Sequence, residues 1–250
     1  GVKNIKYIKT KKNLGYGKGN NLGVSESKTP FILILNPDVV CGKDFFTNLS
    51  DVIEESKDFT IIGCQYLQDK IFMPAGFFDN KENEEFTKCF KNDEINDLAK
   101  VDWVTGCSML LNLNKFDNKK IFDENFFLYF EEFDLCKSLK RKGGEVYSSK
   151  KLKIHHLGFK SSFEENSNHR KGINRLREWH WMWSSFYFYK KNFSYLYALR
   201  KILGKLFKSA LKVIFYSLLL NQEEKEKYKY RFLGILNSIL NRPSSFRDNI

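Results

Sequence analysis

Five consecutive apolar residues, Phe31-Ile32-Leu33-Ile34-Leu35, run directly into Asn36-Pro37-Asp38. No polar residue alternates within the run, so an extended strand here needs cover on both faces. A strand of that kind belongs in a sheet flanked by helices. Pro37 has no N–H to donate to a ladder, so the strand ends in a turn. In open α/β sheets ligands collect at this carboxyl edge of the strands. Asn36 and Asp38 therefore stand where binding chemistry is expected, although an Asn-Pro-Asp turn without a ligand reads the same.

The flanking segments alternate in kind. Ile5 to Ile8, Thr60 to Leu67, Trp103 to Leu113, Gly144 to Tyr147 and Lys151 to His155 read as strands. Helices are expected over Asn20 to Ser27, Asp44 to Ser56 and Phe130 to Arg141, with another inside the polar stretch Lys81 to Lys100. Strands alternating with helices indicate an α/β fold. After Phe163 the pattern changes. Arg175 to Lys191 reads as a helix bearing Trp179, Trp181 and Trp183. Leu199 to Leu220 is amphipathic: Leu199, Ile202, Leu203, Leu206, Ala210 and Ile214 share one face, and Lys201, Lys205, Lys208 and Lys212 the opposite one. Asn221 to Lys229 reads as a polar linker before an apolar segment, Phe232 to Leu240. The expected organisation is a core over residues 1–165 and a basic helical extension over residues 166–250.

Charge narrows the function classes. Lys and Arg number 42 against 30 Asp and Glu, a net charge of +12. That balance points to a polyanionic partner: nucleic acid, anionic lipid or a phosphorylated substrate. No zinc finger, RNP signature or basic region with heptads is present, which argues against nucleic acid. No apolar run reaches eighteen residues, and the N-terminus has no apolar h-region, so neither a spanning helix nor a signal peptide is expected. Five scattered cysteines form no C-x-x-C pair. They argue against a zinc site and a disulfide framework, and fit a reducing cytoplasm.

Three further motifs carry chemistry. Behind the apolar run Phe126 to Phe130 come Glu131, Glu132 and Asp134. Carboxylates crowded against apolar surface repel one another and lose solvation, a cost accepted where a base, a metal ligand or a hydroxyl anchor is needed. The acidic face of an amphipathic helix would look similar. The glycine-rich stretch Asn13 to Gly23 is not a Walker A loop, because no Ser or Thr follows Gly17-Lys18-Gly19 in frame. It is not a clean dinucleotide fingerprint, since Asn20 takes the third glycine position. It is either a turn capping a helix or a set of backbone donors for a phosphate-bearing ligand. His155 and His156 close a strand of alternating character.

Glycine stretch, Asn-Pro-Asp turn, acidic cluster and Ile154-to-Ser161 segment come in an order that resembles the family 2 glycosyltransferases. The similarity is to the rhamnosyltransferase-like members that build bacterial surface polysaccharides, and it runs from about Asn13 to Lys190. The resemblance implies a GT-A fold, Rossmann-like with a mostly parallel sheet, followed here by the helical extension. It implies inverting transfer from a nucleotide-sugar donor, of dTDP-rhamnose or UDP-hexose type, to a glycan or lipid-linked glycan acceptor. It places Asn13, Gly15, Gly17, Asn20, Asn36 and Asp38 beside the donor, and Trp103, Thr105 and Gly106 at the acceptor floor. It sets Asp38 and His156 on a divalent metal, Mg²⁺ or Mn²⁺, with a register uncertainty of one residue against His155. It makes Glu132 the general base, with Glu131 and Asp134 orienting the site.

Two residues depart from the family pattern. Asn36 replaces the first acid of D-x-D. Glu132 replaces the Asp of E-D-x-D and moves the carboxylate outward by about one C–C bond. The chain also begins at what corresponds to the family's third strand, so about two βα units, roughly 60 residues, would precede it. Two other readings stay open: a non-catalytic sugar-nucleotide or glycan-binding relic, and a basic membrane-surface interaction protein. The basic amphipathic tail suits an anionic surface, so the expected location is cytoplasmic, peripheral on the inner face of the plasma membrane.

Overall fold

The computed structural model describes residues 4–56, 58–66, 74–92, 94–157 and 167–247. Gly158, Ser161 and the expected 165/166 boundary lie outside them. Among the described residues, eight strands and seven α-helices follow in chain order. They are α1 (Tyr16–Glu26), β1 (Phe31–Leu35), β2 (Val39–Cys41), α2 (Phe45–Glu55), β3 (Ile61–Tyr66), β4 (Ala75–Gly76), α3 (Asn80–Lys91), β5 (Leu98–Lys100), β6 (Trp103–Val104), β7 (Ser108–Asn112), α4 (Glu131–Arg141), β8 (Val146–His156), α5 (Ser167–Asn192), α6 (Tyr195–Leu218) and α7 (Gln222–Ile239).

The central sheet has the order β1-β7-β3-β8-β2, with β5 also paired to β8. The α/β class stands. In direction, β1, β3 and β8 run the same way, and β3 pairs β8 in parallel. The other pairings are antiparallel, because β7 runs the opposite way between β1 and β3, while β2 and β5 fold back on β8. The sheet is therefore mixed, more antiparallel in its pairings than a parallel-rich sheet.

The buried strands show why the apolar runs lack alternation. Ile61 and Leu111 point into one core with Ile34, Val104, Met109, Leu135 and Val146. Their neighbours Ile62 and Leu110 point into the other, with Phe45, Val52, Phe59, Leu152 and Ile154. Successive side chains face opposite sides of a strand, so both sides need apolar residues. Each fully buried side chain of this size contributes about 1.5–3 kcal/mol.

Several sequence expectations change in the folded chain. Ile5 to Ile8 forms no strand; Ile5 and Tyr7 are exposed, with no strand beside them among the described residues. Trp103 to Leu113 is two strands, because Thr105-Gly106-Cys107 leaves the ladder. Gly144 to Tyr147 and Lys151 to His155 are one strand, β8. Lys150 to Leu152 bulge out of the pairing with β3, which resumes at Lys153 across the register shift between Cys64 and Gln65. Asn221 to Lys229 is not a linker. Asn221 caps α7 by accepting the Glu224 N–H, 3.1 Å, and Glu223 and Glu224 sit in the favoured acidic first turn.

Helices α5, α6 and α7 pack together around Met182, Phe186, Ala198, Ile202 and Ile235. Within α5, His180 is fully buried and holds the C-terminal segment. Its Nε2 lies 3.0 Å from the Phe246 carbonyl, and its Nδ1 3.0 Å from Ser244 Oγ. A carbonyl only accepts, so Nε2 carries the proton and Nδ1 accepts from the hydroxyl. Burial, with a smaller push from Arg247, lowers the imidazole to about 4 against 6.5 for a free histidine. The fold therefore keeps His180 neutral. Its stabilisation is full above about pH 6.5 and is lost as pH falls towards 4, about 3 kcal/mol in all. Urea midpoints measured between pH 7 and 4.5 should fall steeply for the parent and less steeply for His180→Gln. Equal slopes would remove His180 as the cause.

Candidate active site

The glycine stretch is a tight start to α1 rather than an open loop. Gly15 has φ +80, where L side chains are strained, and a Cβ there would lie 2.2 Å from the Phe127 carbonyl oxygen. That carbonyl accepts the Tyr16 N–H, 3.0 Å, so the α1 start is bound to the segment before α4. Asn13 Oδ1 accepts the Gly15 N–H, 2.9 Å, and Asn20 Nδ2 donates to the Tyr16 carbonyl, 3.0 Å. Gly17 is buried against Phe122, near Glu131. These bonds to Asn13 and Asn20 shape the wall itself. Asn21, not singled out by sequence, clamps Phe122 with paired bonds of 2.9 Å through its amide.

Tyr16 is the residue that sequence reading passed over. Its hydroxyl donates to the Gly106 carbonyl. A Cβ at Gly106 would lie 2.9 Å from the Tyr16 oxygen, so a larger residue there would have to displace the phenol. Burial raises the Tyr16 phenol well above its usual range, and the Glu132 and Glu131 charges raise it further. One residue on, the Cys107 carbonyl accepts the Asn36 N–H, 2.9 Å. The Thr105-Gly106-Cys107 break thus links the acidic cluster, through Tyr16, to the turn after β1. A large polar-tipped side chain between two glycines, Gly15 and Gly17, was the available signal.

The turn after β1 meets the end of β8. The Asp38 carbonyl accepts the Leu157 N–H, 2.9 Å, and Val39 lies opposite His156 in the ladder. Asp38 Oδ1 and His156 Nε2 are 3.3 Å apart, with the Asp38 side chain 8% exposed. Of the two adjacent histidines, His156 is the one recorded against Asp38. Carboxylate oxygen and imidazole nitrogen are a donor pair that suits Mn²⁺. Among the described residues, no group of three or more His, Cys, Asp and Glu is placed to hold an ion. The residues fit a cation that takes its remaining ligands from a bound diphosphate and water.

The three acids before and within α4 have three different environments. Asp134 is buried and bonded to Lys191 Nζ, 2.6 Å, and Asn192 Nδ2, 2.7 Å, which fastens α4 to α5. Glu131 is also buried, and its Oε2 has no hydrogen-bond partner. Burial, then the neighbouring Glu132 charge, raises its carboxyl well above the ordinary range. Glu132 is partly exposed, and desolvation pushes its carboxyl up to about 7. Of these three acids, Glu132 is the one that is partly exposed, and its carboxyl lies near neutral pH.

The backbone delivering these acids is strained. Tyr129 and Phe130 take consecutive left-handed conformations, φ 70 and 71. Such conformations in bulky residues persist only where the surroundings impose them, and they concentrate at functional sites. Ser184 Oγ donates to the Leu128 carbonyl, 2.8 Å, and Phe130 packs on Trp181 and Phe188. The rings continue from Trp181 through Phe130 and Phe133 to Trp103, with centroid separations of 5.3, 5.7 and 4.9 Å. Trp181 is 43% exposed at one end of this wall. Thr105 N–H donates to the Pro74 carbonyl, 2.8 Å, at the other.

Residues 2–116 match the family model described as glycosyl transferase family 2. The chain is 29% identical over 147 residues to the low-salt glycan biosynthesis hexosyltransferase of Haloferax volcanii, covering 55% of this chain and 47% of that protein. It is 27% identical over 193 residues to the rhamnosyltransferase WbbL of Escherichia coli (strain K12), covering 66% of this chain and 67% of that protein. The chain thus spans about half the length of the first and two thirds of the second.

Proposed function

We propose, for a chain whose residues 2–116 match the glycosyl transferase family 2 model, a GT-A fold and inverting transfer of a hexose or deoxyhexose from a nucleoside diphosphate donor to a glycan hydroxyl. Residues 1–165 form the transfer core and residues 166–250 its helical extension. The donor is of dTDP-rhamnose or UDP-hexose type, made in the cytoplasm, and the acceptor is a surface glycan, free or on a lipid carrier. The observation that carries this reading is the separation of the three acids. Asp134 is committed to Lys191 and Asn192, Glu131 is buried with its carboxyl raised well above the ordinary range, and Glu132 remains to titrate near neutrality.

Glu132 takes the proton of the acceptor hydroxyl. The freed oxygen attacks the anomeric carbon, a C–O bond forms, and the bond to the diphosphate breaks with its electron pair leaving on the phosphate oxygen. Glu131 and Tyr16 hold the floor beneath Glu132, and Asp134 fixes the helix that carries it. Asn36 and Asp38 face the donor, with Asn13, Gly15, Gly17 and Asn20 as the wall on which Tyr16 is held. Trp103, Thr105 and Gly106 line the acceptor side, and the ring wall to Trp181 offers a sugar an apolar face. Asp38 and His156 would hold a divalent ion, Mg²⁺ or Mn²⁺, which supplies neutralising charge to the leaving diphosphate.

The test is release of nucleoside diphosphate from a panel of UDP-hexoses and dTDP-rhamnose across pH. Glu132 acts deprotonated, so the rate should climb as pH rises through about 7 and level off above it. Binding of donor without turnover at any pH would favour the non-catalytic reading.

A further inference from the structure

Helix α6 carries two apolar faces, not one. The first, with Ala198 and Ile202, is buried against the neighbouring helices. The second recurs at helical spacing through Leu203, Phe207, Leu211, Ile214 and Leu218, which are between 38% and 79% exposed. Phe215 and Leu219 widen it and are also exposed. Lys201, Lys205, Lys208 and Lys212 form a third stripe, roughly 120° further round the helix from the bare apolar one. The helix contains Arg200 and these four lysines and not one Asp or Glu.

Each candidate occupant makes a different demand. An isolated convex stripe on one helix offers no groove for a peptide. A second copy meeting the same face would bring two acid-free, strongly basic helices together with nothing to neutralise them. An anionic bilayer satisfies both stripes at once: apolar side chains enter the headgroup–acyl boundary while lysines snorkel to phosphates. No helix among the described residues is long and apolar enough to cross a membrane, so α6 would lie on the surface.

We propose that α6 docks this protein on an anionic lipid surface through the Leu203-Phe207-Leu211-Ile214-Leu218 stripe, with Lys201, Lys205, Lys208 and Lys212 on the lipid phosphates. The docking goes beyond the transfer reading and does not depend on it.

Cosedimentation with sucrose-loaded vesicles tests it, with no donor present. The parent should pellet with phosphatidylglycerol–phosphatidylcholine vesicles and stay in solution with phosphatidylcholine alone. Changing the four lysines to Gln should weaken binding by roughly 10²–10³-fold. Phe207→Gln with Leu211→Gln should weaken it at least roughly tenfold. Lys201, Lys205, Phe207, Lys208 and Leu211 are exposed and Lys212 is half-buried over the Phe215 and Tyr216 rings, so circular dichroism and Tm should stay close to the parent. A parent that ignores anionic vesicles, or variants that pellet like the parent, would overturn the proposal. So would a dimer in sedimentation equilibrium that the apolar double variant dissolves, which would give the face to a second copy.

Discussion

Glu132→Gln is expected to lower transfer by roughly 10²–10⁴-fold, the usual share of a general base, with donor affinity nearly unchanged. The amide keeps the shape of the side chain and cannot take the acceptor proton. The acid limb of the pH profile should vanish with it, because that limb belongs to the Glu132 carboxyl at about 7. Glu132→Asp returns a shorter carboxylate and should keep substantial activity. Glu131→Gln removes a buried carboxyl whose Oε2 makes no hydrogen bond, so it should cost much less than Glu132→Gln. Transfer that is normal in Glu132→Gln and dead in Glu131→Gln would exchange the two roles. Normal transfer in both would make the cluster structural and take the mechanism with it.

Asp38→Ala is the second large effect. It removes the anionic half of the Asp38–His156 pair while leaving the backbone bond from Leu157 N–H to the Asp38 carbonyl intact. The turn should therefore persist. Calorimetry with UDP and dTDP, with and without Mn²⁺, reads the consequence directly. Affinity in the presence of Mn²⁺ should fall by roughly 10²-fold or more, since even outer-shell changes cost 10–100-fold, and affinity without the ion should change little. Equal Mn²⁺-dependent affinity in variant and parent would sink the metal assignment. Loss of affinity with and without the ion would point instead to a direct role of the turn in holding the nucleotide.

Much of this site is legible along the chain because it depends on near neighbours. The apolar run Phe31 to Leu35 forms β1, and Pro37 ends it. Glu131 opens α4 within one residue of the expected start. Its acids fall in the first turn, where the helix dipole favours them. The expectation that α6 is amphipathic also stands, since Lys201, Lys205, Lys208 and Lys212 share a face by spacing alone.

What sequence spacing leaves undecided is what each side chain meets from elsewhere in the chain. Three acids within four positions look alike until Lys191 and Asn192 arrive from α5 to claim Asp134, and burial lifts the Glu131 carboxyl above its ordinary range. Tyr16 gains meaning only when Gly106, ninety residues away, accepts its hydroxyl. The polar stretch after Asn221 is helical because its few apolar side chains, from Ile235 on, reach a core built by α5 and α6. Ile5 to Ile8 has strand-forming residues and, among the described residues, no strand to pair with. Local pattern determined element type and the chemical kind of each candidate. Long-range packing decided burial, pairing and desolvation, and these set which carboxylate is sealed in, which is tied up, and which stays partly open to solvent.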